Sequence, residues 1–118
     1  IETYSEHVPT KEKISSLRQQ GFVTNLIVIS EVFHKLSVLL GKQEAFVRGL
    51  KILESKDVAY LPIEDETVRD AIRLSPEKLL RINDALIAQH CLDMKVPILT
   101  DNLKDFRKVK GLRIIPLR

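Results

Sequence analysis

Acidic side chains placed at equivalent points along the sequence are the first sign of chemistry. Glu31 follows the apolar run Phe22-Val23-Thr24, Asp84 lies in Ile82-Asn83-Asp84-Ala85, and Thr100-Asp101-Asn102-Leu103-Lys104-Asp105-Phe106 follows Val96-Pro97-Ile98-Leu99. Carboxylates gathered at one edge repel one another, so a cluster is tolerated chiefly where a hard cation neutralises it, and Mg²⁺ or Mn²⁺ selects such oxygen ligands. A cation held that way can activate water and stabilise charge on a phosphoryl oxygen. Each acid also has an ordinary role. Asp84 in a first helical turn interacts with the helix macrodipole, Glu31 suits a solvated helix face, Asp101 and Asn102 are common turn residues, and Asp105 suits a cap or a solvent-facing position. The joint pattern, and no single residue, points to catalysis.

Alternating helices and short apolar strands must position these residues. Pro9 suits a first helical turn, and Ile14 and Leu17 extend a short helix over residues 9–19. Phe22-Val23-Thr24 reads as a strand. Ile29, Val32, Phe33, Leu36, Leu39 and Leu40 form one helical stripe stopped by Gly41, with Asn25 as cap. Ala45, Phe46, Gly49, Leu50 and Leu53 continue a helical pattern to Glu54, and Val58-Ala59-Tyr60-Leu61-Pro62 reads as a strand closed by proline. Val68, Ala71 and Ile72 share a face of a helix over residues 64–74, which Ser75-Pro76 breaks before a short segment to Leu80. Asn83 is predicted to cap the next helix, where Ala85, Ala88, Cys91 and Leu92 make a narrow face of small residues. Val96 to Thr100 reads as a buried parallel strand, and Leu112 to Pro116 as the last one. The expectation is a single α/β domain over residues 1–118, with a mainly parallel sheet whose ligand crevices lie at the carboxyl ends of its strands.

A chain of 118 residues with 44% hydrophobic and 30% charged content has the composition of a globular domain. Its one cysteine, Cys91, cannot form an internal bridge, and no Cys/His spacing suggests a structural zinc. The longest apolar runs, such as Leu26-Ile27-Val28-Ile29, fall far short of the roughly 20 residues of a membrane span. With no readable signal peptide, the expected location is cytoplasmic, without membrane contact. Net charge is +3, but from Lys95 onward seven basic residues face two acids, a local excess of +5 that leaves −2 elsewhere. Such a basic segment, with Lys104 and Arg107 beside the acidic loop, suits either a polyanion or an ordinary solvated surface.

The stretches Val28-Ile29-Ser30-Glu31-Val32-Phe33-His34-Lys35-Leu36, Ile82-Asn83-Asp84-Ala85-Leu86-Ile87-Ala88 and Pro97-Ile98-Leu99-Thr100-Asp101-Asn102-Leu103-Lys104-Asp105-Phe106, with Gly111-Leu112 behind, occur in an order and spacing that resembles the PIN domain family, especially its VapC-like prokaryotic members. The resemblance runs from about Phe22 to the C-terminus. It implies a three-layer α/β/α fold, an acidic pocket that binds Mg²⁺ or Mn²⁺, and hydrolysis of RNA phosphodiester bonds. It further implies Glu31 as the helix-borne acid, Asp84 as a metal ligand, and Asn102 or Asp105 as the fourth member. Asp105 is preferred, because a neutral Asn102 stands where many members carry an acid. Asp101 could compensate, and Thr100 would orient or bind through water. Also implied are a homodimer and, for toxin-like members, an antitoxin partner. The family opens on a strand with an Asp-Thr-Asn-like triplet. Glu2 and Glu6 do not stand in such a context, and the expectation is that this sequence begins after that strand.

Other chemistries fit less well. Glu31 and His34 at three-residue spacing match the Glu-x-x-His pair of di-iron bundles, but only one copy exists. His90 and Cys91 are adjacent and point different ways on a helix, so they make no nucleophile–base pair. Four scattered glycines build no phosphate loop. The rival from another class is a non-catalytic module that binds RNA or protein on the same fold.

Overall fold

The structure, a computed structural model, describes residues 21–117 as two compact units, 21–63 and 64–117. The helix expected over residues 9–19, and Glu2 and Glu6, lie outside the described residues.

In residues 21–63 the order is β1 (Phe22–Thr24), α1 (Leu26–Leu40), α2 (Lys42–Glu54) and β2 (Val58–Tyr60). The two strands pair in parallel with Phe22 opposite Val58 and Thr24 opposite Tyr60, and the helical hairpin supplies the crossover that parallel strands require. Phe22 N–H donates to Asp57 O at 2.7 Å, and Leu61 N–H to Thr24 O at 2.9 Å, which extends the ladder at both ends. Asn25 is the buried cap of α1, its Oδ1 accepting from Val28 N–H at 2.9 Å. Gly41 ends α1 at φ 87°, a backbone that side-chain-bearing residues rarely adopt, while its N–H reaches Ser37 O. Gly49 lets the helices close, since a Cβ there would lie 3.2 Å from the Phe33 ring. The expected α1 stripe is wider than the surface that covers it. Leu36 is buried, whereas Phe33, Leu39 and Leu40 are exposed, and so are Phe46, Leu50 and Leu53 on α2.

In residues 64–117 the order is α3 (Asp65–Glu77), α4 (Ile82–Met94), β3 (Ile98–Thr100), α5 (Leu103–Phe106) and β4 (Ile114–Pro116). The small face of α4 is real: Ala85 and Ala88 are fully buried, together with Ala71, Leu80, Ile98, Phe106 and Val109, and Cys91 and Leu92 pack on this core. Side chains this short let neighbouring backbones approach closely. The strands β3 and β4 pair in parallel, Ile98 opposite Ile114 and Thr100 opposite Pro116, so every strand pairing among the described residues is parallel, as predicted.

Three local expectations are corrected here. The covered face of α3 is Thr67, Ala71 and Leu74, whereas Val68 and Ile72 are exposed, because Thr67 Oγ–H donates to Asp93 Oδ2 at 2.6 Å and is thereby accommodated inside. Proline does not break α3 at residue 76. The helix continues to Glu77, and Lys78 N–H still reaches Leu74 O at 3.0 Å. Asn83 lies inside α4, which begins at Ile82. Arg81 occupies the cap position with extended backbone, its carbonyl accepting from Ala85 N–H at 2.9 Å. Among the described residues, no helix is long and apolar enough to cross a membrane.

Candidate acidic site

Asp84 stands in the first turn of α4, with its side chain only 10% exposed. Its polar contact is one guanidinium: Arg81 Nε donates to Asp84 Oδ2 at 3.4 Å, while the Arg81 side chain is 70% exposed. That distance exceeds the ~2.7–2.9 Å of a tight charge-assisted bond. A nine-tenths buried carboxylate at the positive end of a helix, with one long ionic contact, is an oxygen donor suited to a small hard cation.

The loop after β3 belongs to the same packed unit as α4, since Ala85, Ala88, Ile98 and Phe106 share one buried cluster. Lys95 ends α4 in the left-handed region at φ 58°. An open α/β sheet places its ligands at the carboxyl ends of its strands, the end at which the Thr100 loop begins.

Within that loop the side chains hold one another. Thr100 Oγ1 accepts from Asn102 N–H at 3.0 Å. Asn102 caps α5, its Oδ1 accepting from Asp105 N–H at 3.3 Å, and its Nδ2 donates to Asp105 Oδ2 at 3.1 Å. Lys108 Nζ lies 3.3 Å from Asp105 Oδ1. The Asn102 hydrogen bond, then Lys108, keep the Asp105 carboxyl below its ordinary pKa of 3.8, with the Lys104 charge adding to the effect. Asp101 is exposed in the turn, and Lys104 and Arg107 are exposed on α5 and its cap. Asn102 and Asp105, weighed at the sequence level as alternatives for one role, are thus mutual partners.

Glu31 belongs to the other unit, half-buried in the second turn of α1, with His34 exposed one turn later. Among the described residues, no three His, Cys, Asp or Glu side chains converge closely enough to hold a metal ion on their own. The donors at Asp84 and the loop are nevertheless of the right chemistry, since Mg²⁺ commonly takes one or two carboxylates and completes its shell with water and phosphate. Two participants escaped the sequence reading, Arg81 and Lys108. Each stands three residues from an acid, at the spacing where helical neighbours meet, so the signal was present. His90 is buried on α4, and burial raises the Cys91 thiol to about 11, which leaves it protonated and a poor nucleophile.

Comparison with known proteins bears on the family and the fold. No curated protein matches the sequence. The structure is similar to VapBC from Salmonella typhimurium bound to DNA, with a TM-score of 0.77 at 14% identity over 97% of this chain and 88% of that one. It is also similar to VapBC2 from Rickettsia felis bound to a promoter DNA fragment, with a TM-score of 0.70, 19% identity and coverage of 95% and 88%. A third neighbour is VapBC-1 from nontypeable Haemophilus influenzae, with a TM-score of 0.70, 18% identity and coverage of 92% and 84%. At these identities the likeness establishes the fold, a PIN-like α/β/α arrangement. The family model described as PIN domain matches residues 3–112, nearly the whole sequence, and the chain therefore belongs to the PIN domain family.

Proposed function

We propose that this chain is a divalent-cation-dependent endoribonuclease, the toxin of a toxin–antitoxin pair, acting as a single PIN domain in the cytoplasm. The observation that carries the reading is Asp84: a nine-tenths buried carboxylate at a helix start with a single long counter-ion contact. Asp84 and Asp105 are the proposed acids of the 64–117 unit, and Glu31 is the helix-borne acid of the other. Asp101, Asn102 and Thr100 reach the cation directly or through water. Lys104 and Arg107, exposed beside the loop, hold the phosphate backbone of RNA. When bound, Mg²⁺ or Mn²⁺ activates water and stabilises charge on the phosphoryl oxygen. The chain's own part is to fix the carboxylates and to keep Asp105 ionised through its Asn102 and Lys108 contacts.

Two proteins are proposed as partners. An antitoxin is proposed because one structural neighbour is a toxin–antitoxin complex from Klebsiella pneumoniae. A second copy of the chain fits the exposed stripe of Phe46, Leu50 and Leu53 on α2. An antiparallel mate would set Lys42, at the start of α2, against Glu54, at its end.

Titrating Mn²⁺ into wild-type protein and Asp84→Asn by calorimetry tests the reading without a choice of RNA. One site in the wild type that is lost in the variant supports the nuclease. No uptake by the folded wild type removes it. In that case the second reading, a non-catalytic RNA- or protein-binding module, gains from the closed Asn102–Asp105–Lys108 network. Such a module keeps its RNA affinity in chelator and loses it as salt rises.

A further inference from the structure

We propose that Arg81 is a positioning residue of this site: its guanidinium holds the Asp84 carboxylate while no cation is present, and turns to a phosphate of the RNA once a cation takes that carboxylate. The role rests on the nuclease reading above.

The first observation is where Arg81 stands. It is the cap residue of α4, with φ −60° and ψ 147°, and its side chain makes no capping hydrogen bond. Ser, Thr, Asp and Asn are favoured there because their oxygens accept from the first helical N–H groups, and a cation there meets the positive end of the helix dipole. Asn25 on α1 follows the rule, while Gly41 of α2 and Glu64 of α3, like Arg81, make no side-chain capping bond. What sets α4 apart is a cation at that position, beside the buried acid of the first turn.

The second observation is what Arg81 touches. Its Nε meets Asp84 Oδ2 at 3.4 Å, with the Arg81 side chain 70% exposed against 10% for Asp84. The acid is nine-tenths buried and the base largely exposed, so the base is the member of the pair that incoming groups from solvent can reach. A cation arriving at Asp84 brings a like charge next to the guanidinium and weakens its hold there. Arginine is then suited to the incoming group, because its planar fork matches phosphate in two parallel hydrogen bonds. In the same packed unit, Lys104, Arg107 and Lys108 on and after α5 are exposed and suit a polyanion.

Wild type, Arg81→Gln, Arg81→Lys and Asp84→Asn are compared in two measurements, with circular dichroism showing each to be folded. In the first, Mn²⁺ alone is titrated by calorimetry. Arg81→Gln, having lost the competing charge, is expected to bind about tenfold tighter than wild type, and Arg81→Lys about as wild type. In the second, uridine 5′-monophosphate is added to protein saturated with Mg²⁺ and followed by NMR. The Arg81 Nε–Hε signal is expected to move in the wild type, with binding weakened about tenfold in Arg81→Gln and partly restored in Arg81→Lys. Wild type that takes up Mn²⁺ while Arg81→Gln binds it no tighter, or an Arg81 signal that ignores the nucleotide, overturns this role and leaves the nuclease standing. Wild type that takes up no Mn²⁺ overturns both.

Discussion

Replacing Asp84 by Asn separates a structural acid from a functional one, because the two assign different magnitudes to its effect on the stability of the cation-free protein. The losses in the cation-free protein are small. The ion pair with Arg81 is long and its partner 70% exposed, so it contributes about 0.2–1 kcal/mol. The helix-dipole interaction in the first turn of α4 contributes about 0.3–1 kcal/mol. Against these stands the release of a desolvated charge, since a buried carboxylate with a weak partner is itself unfavourable by an amount of the same order or larger. Asn preserves the shape. The net change expected in chelator therefore falls within about 1 kcal/mol of zero, or roughly 4 °C in Tm for a chain of this length. With Mn²⁺ at about a hundred times its Kd, the wild type gains about 2.7 kcal/mol by mass action, roughly 10 °C, and the variant gains nothing. Thermal melts of both proteins, with chelator and with Mn²⁺, read all four values. A variant that loses more than about 2 kcal/mol in chelator would show the carboxylate to be a structural element. A variant that gains as much from Mn²⁺ as the wild type would place the cation elsewhere.

Thr67→Val keeps the volume of a 4% exposed side chain but removes its 2.6 Å hydrogen bond to Asp93, and is expected to cost about 1.5 kcal/mol. Calorimetry should show Tm falling by about 6 °C, and an unchanged Tm would mean that this bond does not hold α3 to α4. The depressed Asp105 pKa has a signed consequence: the unfolded chain binds this proton more readily, so the stabilisation is present above the ordinary 3.8 and is lost as pH falls through the lower folded value. Carboxyl NMR should place the Asp105 midpoint below 3.8, and Asn102→Ala, which removes the largest cause, should raise it. A midpoint at or above 3.8 in the wild type would contradict the Asn102–Asp105–Lys108 network. Leu50→Glu sets a charge in the middle of the exposed α2 stripe and is expected to shift sedimentation from dimer to monomer with the fold retained. A variant that sediments as the wild type does would remove that stripe as the dimer contact.

Sequence reading succeeded where a short-range signal decides the structure. Phe22-Val23-Thr24 forms a strand as expected, Asn25 accepts from Val28 N–H, and Gly41 stops α1 with the positive φ that favours glycine. It failed where a partner distant in sequence decides. Val68 and Ile72 marked the wrong face of α3 because Thr67 counts as polar until its acceptor, Asp93, is known. Asn83 was chosen as cap from its residue type, but the backbone at Arg81 starts the helix earlier and without a side-chain cap. The positions of the candidate acids were legible because turns and helix starts follow from strand endings. Their counter-ions, Arg81 and Lys108, were legible in spacing but not in effect, because only geometry distinguishes a long contact to a buried acid from a shorter one to an accessible acid.

That distinction orders the acids by their readiness for a cation. Asp105 offers no oxygen without a competitor: Oδ2 accepts from Asn102 at 3.1 Å and Oδ1 faces Lys108 at 3.3 Å. Asn102 is no easier to recruit, because its Oδ1 caps α5 and its Nδ2 holds Asp105. A cation at either residue must therefore open the turn that defines α5. At Asp84 it need displace only one guanidinium, which solvent readily accepts. Asp84 is thus the anchor of the proposed site, with the loop joining by exchanging internal hydrogen bonds for bonds to the cation or its water. Substituting Asn for an acid at position 102 fits that division, since the amide ties the loop to Asp105 as a donor, which a carboxylate in its place would not do.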